Sequence, residues 1–295
     1  MTALADLSGE IAELVARLAP SLVRVEARGG RPATGIIWAD NVVLTADHII
    51  EAEDNILVTG APATVKASLV GRDRATDLAL LRIDGLRGAP APRGRSADVR
   101  TGHIVLALGG TIGEQQVTAG IVTGSSGEFR SWRGEQALSL IQTTAELLPG
   151  FSGGPLVDAE GRVIGINSWN FGRGISRALP VEIAERVAES LRAHGRVRRA
   201  YLGVGVQPVR LSDTLGTGQE TGLLVVTIEP GGPADKAGLH QGDTLVTVDG
   251  DPLFGRMDAL FAVLRALDAD SSHAFGIIRA GELKEVPVTL GEVPR

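Results

Sequence analysis

Apolar residues near the start of the chain recur at helical spacing. Four of them are separated by three or four positions: Ile11, Leu14, Val15 and Leu18. This spacing predicts an amphipathic helix over residues 6–18. Pro20 predicts its end, because proline lacks the amide proton that a helix interior uses. We expect a helical segment over residues 1–20 that packs on the rest of the chain or on a second copy.

From residue 21 the pattern changes to short apolar runs divided by Gly, Pro and Asp turns. The predicted strands cover residues 21–27, 36–38, 42–45, 65–70, 78–83, 103–108, 117–122, 138–142, 156–157 and 163–167. Many short strands at this spacing are typical of a β-sandwich or a β-barrel. The sequence therefore predicts an all-β-dominated first domain over residues 21–195.

A helical pattern and a basic segment predict where this domain ends. Apolar residues at helical spacing run from Val181 to Leu191, and Gly195 closes the helix. Residues 196–199 carry three arginines, which is typical of a solvated linker. Beyond it, strand patterns at residues 223–228, 244–248, 274–279 and 286–290 and a helix over residues 257–267 predict a second domain, residues 200–292.

The composition excludes several classes of function. The 295 residues include no cysteine, which excludes disulfides, thiolate metal sites and cysteine nucleophiles. The net charge of −6 argues against a nucleic-acid partner, because binding to phosphates requires clustered positive charge. No apolar run reaches the ~18–20 residues that span a bilayer. The five histidines show no metal-ligand spacing, so we expect neither a metal nor a cofactor.

The first residues bear on the location of the protein. They lack a basic n-region, and acidic residues such as Asp6 and Glu10 interrupt their apolar positions. These features differ from those of a signal peptide. We therefore expect a cytosolic protein, or an exported one if the sequence is a trimmed mature form.

Residues 150–155 (GFSGGP) predict a nucleophilic turn. Glycines on both sides of Ser152 allow a tight backbone that exposes the hydroxyl. The amides of Gly150 and Ser152 would then converge on a developing oxyanion. The alternative is a glycine turn with an incidental serine.

A serine nucleophile needs a base, and the base needs an orienting carboxylate. His48 and Asp77 both stand at the ends of strand-like runs. The chain order His, Asp, Ser is one of several that such triads use. Asp47 and Asp73 remain alternative carboxylates at this point, because spacing alone does not choose among the three.

A resemblance to a known protein family selects Asp77 among the three carboxylates. The motifs TADH (residues 45–48), TDLALL (76–81) and QTTAELLPGFSGGPL (142–156), with VLALG (105–109) and VTAGIV (117–122) between them, resemble those of the HtrA/Deg branch of trypsin-like serine proteases. The resemblance covers residues ~21–185. It implies two packed six-stranded barrels of the chymotrypsin type, with the triad His48, Asp77 and Ser152 in the cleft between them.

The resemblance also implies further site residues. Ser168, Trp169 and Asn170 follow a predicted strand at the place where the family pairs with the substrate backbone. Glu146 lies six residues before Ser152, a position that lines the specificity pocket in many trypsin-like enzymes. The chain departs from the family at Phe151, Thr144 and Arg177, where the family usually has Asn, Asp and an aromatic residue.

The second domain resembles a bacterial PDZ domain. Its loop YLGV, made of Tyr201, Leu202, Gly203 and Val204, is similar to the loop whose amides bind a C-terminal carboxylate. In such domains the bound peptide adds a strand to the sheet edge. The predicted helix over residues 257–267 would form the other wall of the groove.

Together these features predict an ATP-independent serine endopeptidase that hydrolyses unfolded or misfolded proteins. Its expected partners are those proteins and C-terminal peptides, and the resemblance implies a homotrimer. A first alternative is a latent scaffold that only binds peptides through its PDZ domain, which Phe151 and Thr144 keep open. A weaker alternative is an esterase for small acyl substrates.

Overall fold

The chain forms two compact units, Met1–Val197 and Arg198–Arg295. The computed structural model describes residues 3–27, 32–86, 88–110, 113–130, 137–172, 174–212 and 218–293. Within these ranges, no helix is long and apolar enough to cross a membrane.

Six strands of unit 1 close into a first barrel. They are β1 Leu22–Glu26, β2 Ala33–Ala39, β3 Val42–Ala46, β4 Ile56–Thr59, β5 Thr64–Asp73 and β6 Leu78–Ile83. They pair in the order β1-β2-β3-β6-β5-β4, and β4 pairs back with β1.

Six more strands close a second barrel. They are β7 Ile104–Gly109, β8 Gln116–Arg130, β9 Ala137–Thr143, β10 Pro155–Asp158, β11 Val163–Asn167 and β12 Ser176–Pro180. Their order is β10-β11-β12-β9-β8-β7, and β10 pairs with β7. The expected double barrel is therefore confirmed.

Both faces of several strands are buried. Successive side chains of a strand point to opposite faces, and Val43 and Leu44 of β3 accordingly belong to two different apolar clusters. Leu81 and Leu80 of β6 divide in the same way. The cluster with Val43 and Leu81 draws only on the first barrel and its loops, whereas the other cluster joins residues of both barrels and the helices. The sequence therefore shows continuous apolar runs in these strands rather than alternation.

Two helices pack on the barrels. Helix α1, Ala3–Leu18, buries Leu14 and Leu18 in the shared cluster. It begins three residues earlier than the apolar spacing predicts. Helix α2, Val181–His194, ends at Gly195, which adopts the left-handed conformation (φ +69°) that favours glycine at this position.

Two strands of unit 1 carry no clear pattern in the sequence. β4 has only four residues, and β12 includes the polar residues Ser176 and Arg177. Both are needed to close their barrels, because β4 pairs with β1 and β12 bridges β11 and β9. Closure of the barrel, rather than local propensity, therefore fixes their conformation.

The described residues of unit 2 form a main sheet, a two-stranded sheet and two helices. Its strands are β13 Ala200–Tyr201, β14 Val204–Arg210, β15 Thr221–Ile228, β16 Thr244–Val248, β17 Asp251–Pro252, β18 Ser272–Arg279, β19 Glu282–Thr289 and β20 Gly291–Glu292. The helices are α3 Pro233–Lys236 and α4 Met257–Ala266. The main sheet runs β14-β15-β16-β18-β19, and β13 pairs with β20 in the two-stranded sheet. The sequence pattern does not predict β14, which takes the edge position.

An ion pair between a buried carboxylate and a partly exposed guanidinium links the start of β16 to the end of β18 in unit 2. The Asp243 side chain is 1% exposed and accepts two hydrogen bonds of 2.7 Å from the Arg279 guanidinium. The amide of His240 donates a third, also of 2.7 Å. Burial alone would raise the pKa of Asp243, but the bonds from Arg279 and His240 outweigh it and hold that pKa below its usual value.

Candidate active site

His48 lies at the end of a strand of the first barrel. β3 ends at Ala46, and a single 3₁₀ turn, Asp47–Ile49, carries the imidazole. Its Nδ1 lies 2.8 Å and 3.0 Å from the two carboxylate oxygens of Asp77. An ionised carboxylate only accepts hydrogen bonds, so Nδ1 is the donor. The other ring nitrogen, Nε2, is thereby left as the one able to take a proton.

The Asp77 carboxylate is held by hydrogen bonds from several neighbouring groups. Asp77 precedes β6 in the left-handed conformation (φ +54°), and it is 3% exposed. Its carboxylate also accepts hydrogen bonds from the His48 amide at 3.0 Å, the Ser168 hydroxyl, and the Asn170 side-chain amide at 3.1 Å. A buried carboxylate with this many donors is held in one position.

The two alternative carboxylates are engaged elsewhere. Asp47 binds Arg72, whose guanidinium also donates to the Asp47 carbonyl at 3.2 Å. The bond with Asp47 raises the pKa of Arg72. Asp73 accepts a 2.7 Å hydrogen bond from the Thr76 hydroxyl. Asp77 is therefore the carboxylate that contacts His48.

Ser152 lies in a loop of the second barrel. Hydrogen bonds to strand β11 hold this loop in place. The Gly153 amide donates to the Asn167 carbonyl at 2.9 Å, and the Asn167 amide donates to the Gly154 carbonyl at 2.8 Å. The Asn167 side chain adds a 2.9 Å bond to the Pro155 carbonyl. These bonds hold Ser152, which is 5% exposed, in a tight turn.

Gly153 brings this loop against the first barrel. A Cβ at this position would lie 2.2 Å from the Thr34 carbonyl oxygen and 2.8 Å from the Ala46 nitrogen. The φ of Gly153 is also positive, at +84°. Only glycine fits such an approach. The serine loop therefore reaches the end of β3, where His48 begins.

The amides of Gly150 and Ser152 could bind an anion. Within the described ranges, neither amide donates to another protein group, whereas the Phe151 amide donates to the Leu148 carbonyl at 3.0 Å. Gly150 adopts φ +95°, which glycine tolerates best. Two such amides beside a serine hydroxyl are what a developing oxyanion would require.

Thr34 holds this loop from the first barrel, a role that the sequence pattern does not predict. Its hydroxyl donates to the Gly150 carbonyl at 2.7 Å and accepts from the Gly110 amide at 2.8 Å. Its own amide donates to the Ser152 carbonyl at 3.2 Å. The Thr34 side chain is fully buried. Its position beside a glycine in a strand carries no local signal of this role.

The Ser152 hydroxyl accepts a hydrogen bond from the Trp169 amide at 3.3 Å. In the part of the chain that the structure describes, it forms none with His48. Trp169 begins a 3₁₀ turn, Trp169–Phe171, and its side chain is 50% exposed. The segment around Trp169 therefore contacts both the Ser152 hydroxyl and, through Ser168 and Asn170, the carboxylate of Asp77.

The remaining sequence-predicted residues of unit 1 occupy different surroundings. Glu146 is exposed, and its backbone carbonyl accepts a hydrogen bond from the Thr118 hydroxyl at 2.6 Å. The Thr144 hydroxyl accepts from the Ile121 amide at 2.9 Å. The Arg177 guanidinium donates to the Phe171 carbonyl.

Phe151 is wholly buried in the apolar cluster of the second barrel. Its ring packs against Gly109 at the end of β7. The structure thus places this side chain in the core beneath the serine loop rather than over the oxyanion amides.

The loop Tyr201–Val204 leads into the edge strand of unit 2. Gly203 adopts φ +79°, and the carbonyls of Leu202 and Gly203 accept 2.9 Å hydrogen bonds from the amides of Ala234 and Glu229. The Tyr201 hydroxyl donates to Glu229, which raises the pKa of Tyr201. Among the described strands, β14 pairs only with β15. Its outer edge is therefore open to an added strand.

Unit 2 also holds a second chain of Ser, His and Asp side chains. His273 Nδ1 lies 2.6 Å from Asp249, and His273 Nε2 lies 2.7 Å from the Ser271 hydroxyl. That hydroxyl donates to the Asp268 carbonyl at 2.5 Å, so its proton is directed away from the imidazole. The bond with His273 and that from the Ala274 amide lower the pKa of Asp249. This arrangement locks a turn and differs from that of an activated nucleophile.

Comparisons with known proteins agree with both units. The model of the trypsin-like peptidase domain matches residues 33–166, and that of the PDZ domain matches residues 200–290. A probable periplasmic serine endoprotease, DegP-like, from Ectopseudomonas mendocina is 38% identical over 269 residues. One of the same name from Halomonas elongata is 36% identical over 268 residues. Each match covers 88% of this chain and 56% of the relative, so the chain spans little more than half the length of these relatives.

Solved structures match almost the whole chain. The HtrA-type protease AlgW with a tripeptide is 31% identical, with a TM-score of 0.78, over 96% of this chain and 97% of that one. The serine endoprotease from Yersinia pestis is 29% identical, with a TM-score of 0.72, over 96% and 98%. The chain therefore belongs to the HtrA family of trypsin-like serine proteases that carry a PDZ domain.

Proposed function

We propose that this protein is an ATP-independent serine endopeptidase that hydrolyses unfolded or misfolded proteins. The observation that carries the proposal is the His48–Asp77 pair at the end of β3, next to a serine loop whose Gly150 and Ser152 amides donate to no protein group in the described ranges. Functional domains are proposed at residues 21–195 for the peptidase and 200–292 for the PDZ domain, after a helical segment over residues 1–20.

In this mechanism His48 Nε2 takes the proton of the Ser152 hydroxyl as Oγ attacks the carbonyl carbon of the substrate. The amides of Gly150 and Ser152 bind the resulting oxyanion. His48 then gives the proton to the leaving amine, the peptide bond breaks, and an acyl-enzyme remains. Water attacks the acyl-enzyme by the same route. Asp77 keeps Nδ1 protonated throughout and stabilises the imidazolium.

The substrate side of the site is proposed along Ser168–Asn170. The side chains of Ser168 and Asn170 are bound to Asp77, so their backbone groups are the part offered to an extended substrate. Glu146 is retained only as a proposed pocket residue, and its exposure supports a solvated role as well.

The PDZ domain is proposed to bind C-terminal peptides. The amides of Leu202 and Gly203 donate to no protein group in the described ranges, and they adjoin the open edge of β14. A carboxylate held by these amides would place the peptide as an added strand. Tyr201 and Val204 are the first and last residues of this four-residue loop. A homotrimer is proposed from the family alone.

An exported location is also proposed. The expectation of a cytosolic protein finds no support in the curated relatives, which are named as periplasmic enzymes. A protease for unfolded proteins with no energy source fits a compartment without ATP.

The proposal is tested by labelling with a fluorophosphonate and measuring the intact mass, followed by peptide mapping. We expect one adduct, located on Ser152 and absent from Ser152→Ala. Ser271→Ala is the matched control, because the Ser271 hydroxyl contacts the His273–Asp249 pair of unit 2, and it should label like the wild type. The labelled enzyme should also lose its cleavage of an unfolded protein such as reduced casein. Failure of Ser152 to label under any condition would refute the proposal.

A latent peptide-binding scaffold is the second candidate. It is favoured by one observation, the hydrogen bond of the Ser152 hydroxyl to the Trp169 amide in place of one to His48. For this candidate, Ser152 labels only when C-terminal peptides are added, or never labels while such peptides still bind. Labelling at full rate without peptide would exclude it.

A further inference from the structure

A cavity of about 500 Å³ opens beside the candidate oxyanion site. One wall comes from the first barrel and includes Arg24 and residues 32–34. The other wall comes from the second barrel and includes residues 114–116, Pro149 and Gly150. The cavity therefore lies between the two barrels and begins at Gly150, one of the two proposed oxyanion donors.

The position of the cavity assigns it to one side of the scissile bond of a bound substrate. The proposed function places the substrate carbonyl against the Gly150 and Ser152 amides, and the acyl part along residues 168–170. The cavity lining includes Gly150 and Thr34 but no residue of that segment. The cavity thus extends from the oxyanion site away from the acyl part. The acyl part of the substrate lies elsewhere, so the part that can occupy the cavity is the leaving peptide, which carries the new amino terminus.

Two of the residues that line the cavity are charged, Arg24 and Glu114. Arg24 is 36% exposed and lies 2.8 Å from Glu26 and 3.5 Å from Glu114. One guanidinium is thus shared by two carboxylates. Glu114 is the more exposed member, at 71%, and its contact with Arg24 is the longer one. Its carboxylate is therefore available to a second cation.

We propose that this cavity is a subsite for the leaving peptide and that Glu114 selects a lysine or arginine there. The proposal rests on the proposed endopeptidase function. Three extended residues span about 10 Å, so the test scores the first three positions after the scissile bond. An exposed pair of this kind changes rates by about two- to fivefold.

The test compares four enzymes on one peptide library: wild type, Glu114→Gln, Glu114→Lys and Glu13→Gln. Glu13 is exposed on α1, so Glu13→Gln removes the same charge away from the cavity. Cleavage products are sequenced by mass spectrometry, and the first three residues after each cut are scored. The rate of fluorophosphonate labelling is measured in parallel, because that probe carries no leaving peptide.

We expect the wild type and Glu13→Gln to favour Lys and Arg over Asp and Glu by about two- to fivefold at 50 mM salt. Glu114→Gln should lose this preference and Glu114→Lys should reverse it, with labelling rates unchanged. At 0.5 M salt the preference should shrink, because exposed charges are screened. A labelled enzyme without the preference, or one that keeps it in Glu114→Gln, would overturn the subsite alone. Absence of labelling on Ser152 in all four would overturn the underlying function instead.

Discussion

The packing of Phe151 against Gly109 leads to a prediction about the serine loop. Phe151 is fully buried directly before Ser152, and Gly109 ends strand β7. A Cβ at position 109 would lie 2.5 Å from Cδ1 and 2.9 Å from Cε1 of the Phe151 ring. Carbon atoms pack at about 3.5–4.0 Å. Gly109→Ala therefore requires the ring to move by about 1 Å.

This displacement should affect both stability and chemistry. Overpacking of a tight core costs about 1–3 kcal/mol. In a unit of this size, that lowers the melting temperature by roughly 2–4 °C per kcal/mol. Because Phe151 is covalently joined to Ser152 and Gly150, the nucleophile and the oxyanion amides shift with the ring. A misplacement of about 1 Å can cost up to 10²-fold in rate.

A second substitution separates this effect from a general loss of folding. Phe151→Leu shortens the side chain and leaves space for a Cβ at position 109. Phe151→Leu alone should destabilise through the cavity it leaves, by about 1–2 kcal/mol. The double variant Gly109→Ala/Phe151→Leu should lose less than the sum of the two single losses. The coupling should be about 1 kcal/mol or more.

The assay is the rate constant of fluorophosphonate labelling at Ser152, measured together with thermal unfolding. Gly124→Ala is the matched control, because a Cβ at Gly124 of β8 meets nothing within 4 Å. It should label and melt like the wild type. The reasoning is refuted if Gly109→Ala labels at the wild-type rate with an unchanged melting temperature, or if the coupling falls within 0.5 kcal/mol of zero.

Three further predictions address other contacts. Thr34→Val should slow labelling of Ser152 by at least tenfold, because it removes the hydroxyl that binds the Gly150 carbonyl. Thr34→Ser keeps a hydroxyl and should retain most of the rate. Equal labelling rates for the two variants would contradict this role of Thr34. Asp77→Asn should lower peptide hydrolysis by roughly 10³–10⁴-fold, because an amide can donate to Nδ1 and favour the wrong tautomer; a loss below tenfold would exclude Asp77 as the orienting carboxylate. Asp243→Asn should destabilise unit 2 by about 2–3 kcal/mol at pH 7, as measured by hydrogen exchange of its amides. Because the folded pKa of Asp243 is depressed, its contribution is present above its ordinary pKa near 4 and is lost as the pH falls through the lower folded value. The variant should therefore lack that acid-dependent part, and an unchanged acid profile would contradict the assignment.

The sequence determined the elements whose pattern is local. The spacing of Leu14 and Leu18 predicts α1, and the apolar runs predict strands such as Leu78–Ile83 and Thr244–Val248. A period of 3.6 or 2 is set by the backbone itself, so it can be detected without knowledge of the fold. The motifs around His48, Asp77 and Ser152 also lie within short stretches, and their resemblance to a family pointed to a nucleophilic triad.

The tertiary structure decided the contacts between distant parts of the chain. Thr34 and Gly150 are 116 residues apart, and only the packing of the two barrels on each other brings the hydroxyl to the carbonyl. The same packing joins Arg24 to Glu114, and the fold of the second barrel buries Phe151 against Gly109. It also places the Trp169 amide on the Ser152 hydroxyl. Spacing along a chain holds no information about such pairs, because their distance depends on strand order and register. The sequence thus names the residues proposed as the triad, whereas the packing around them sets the hydrogen bonds of the site.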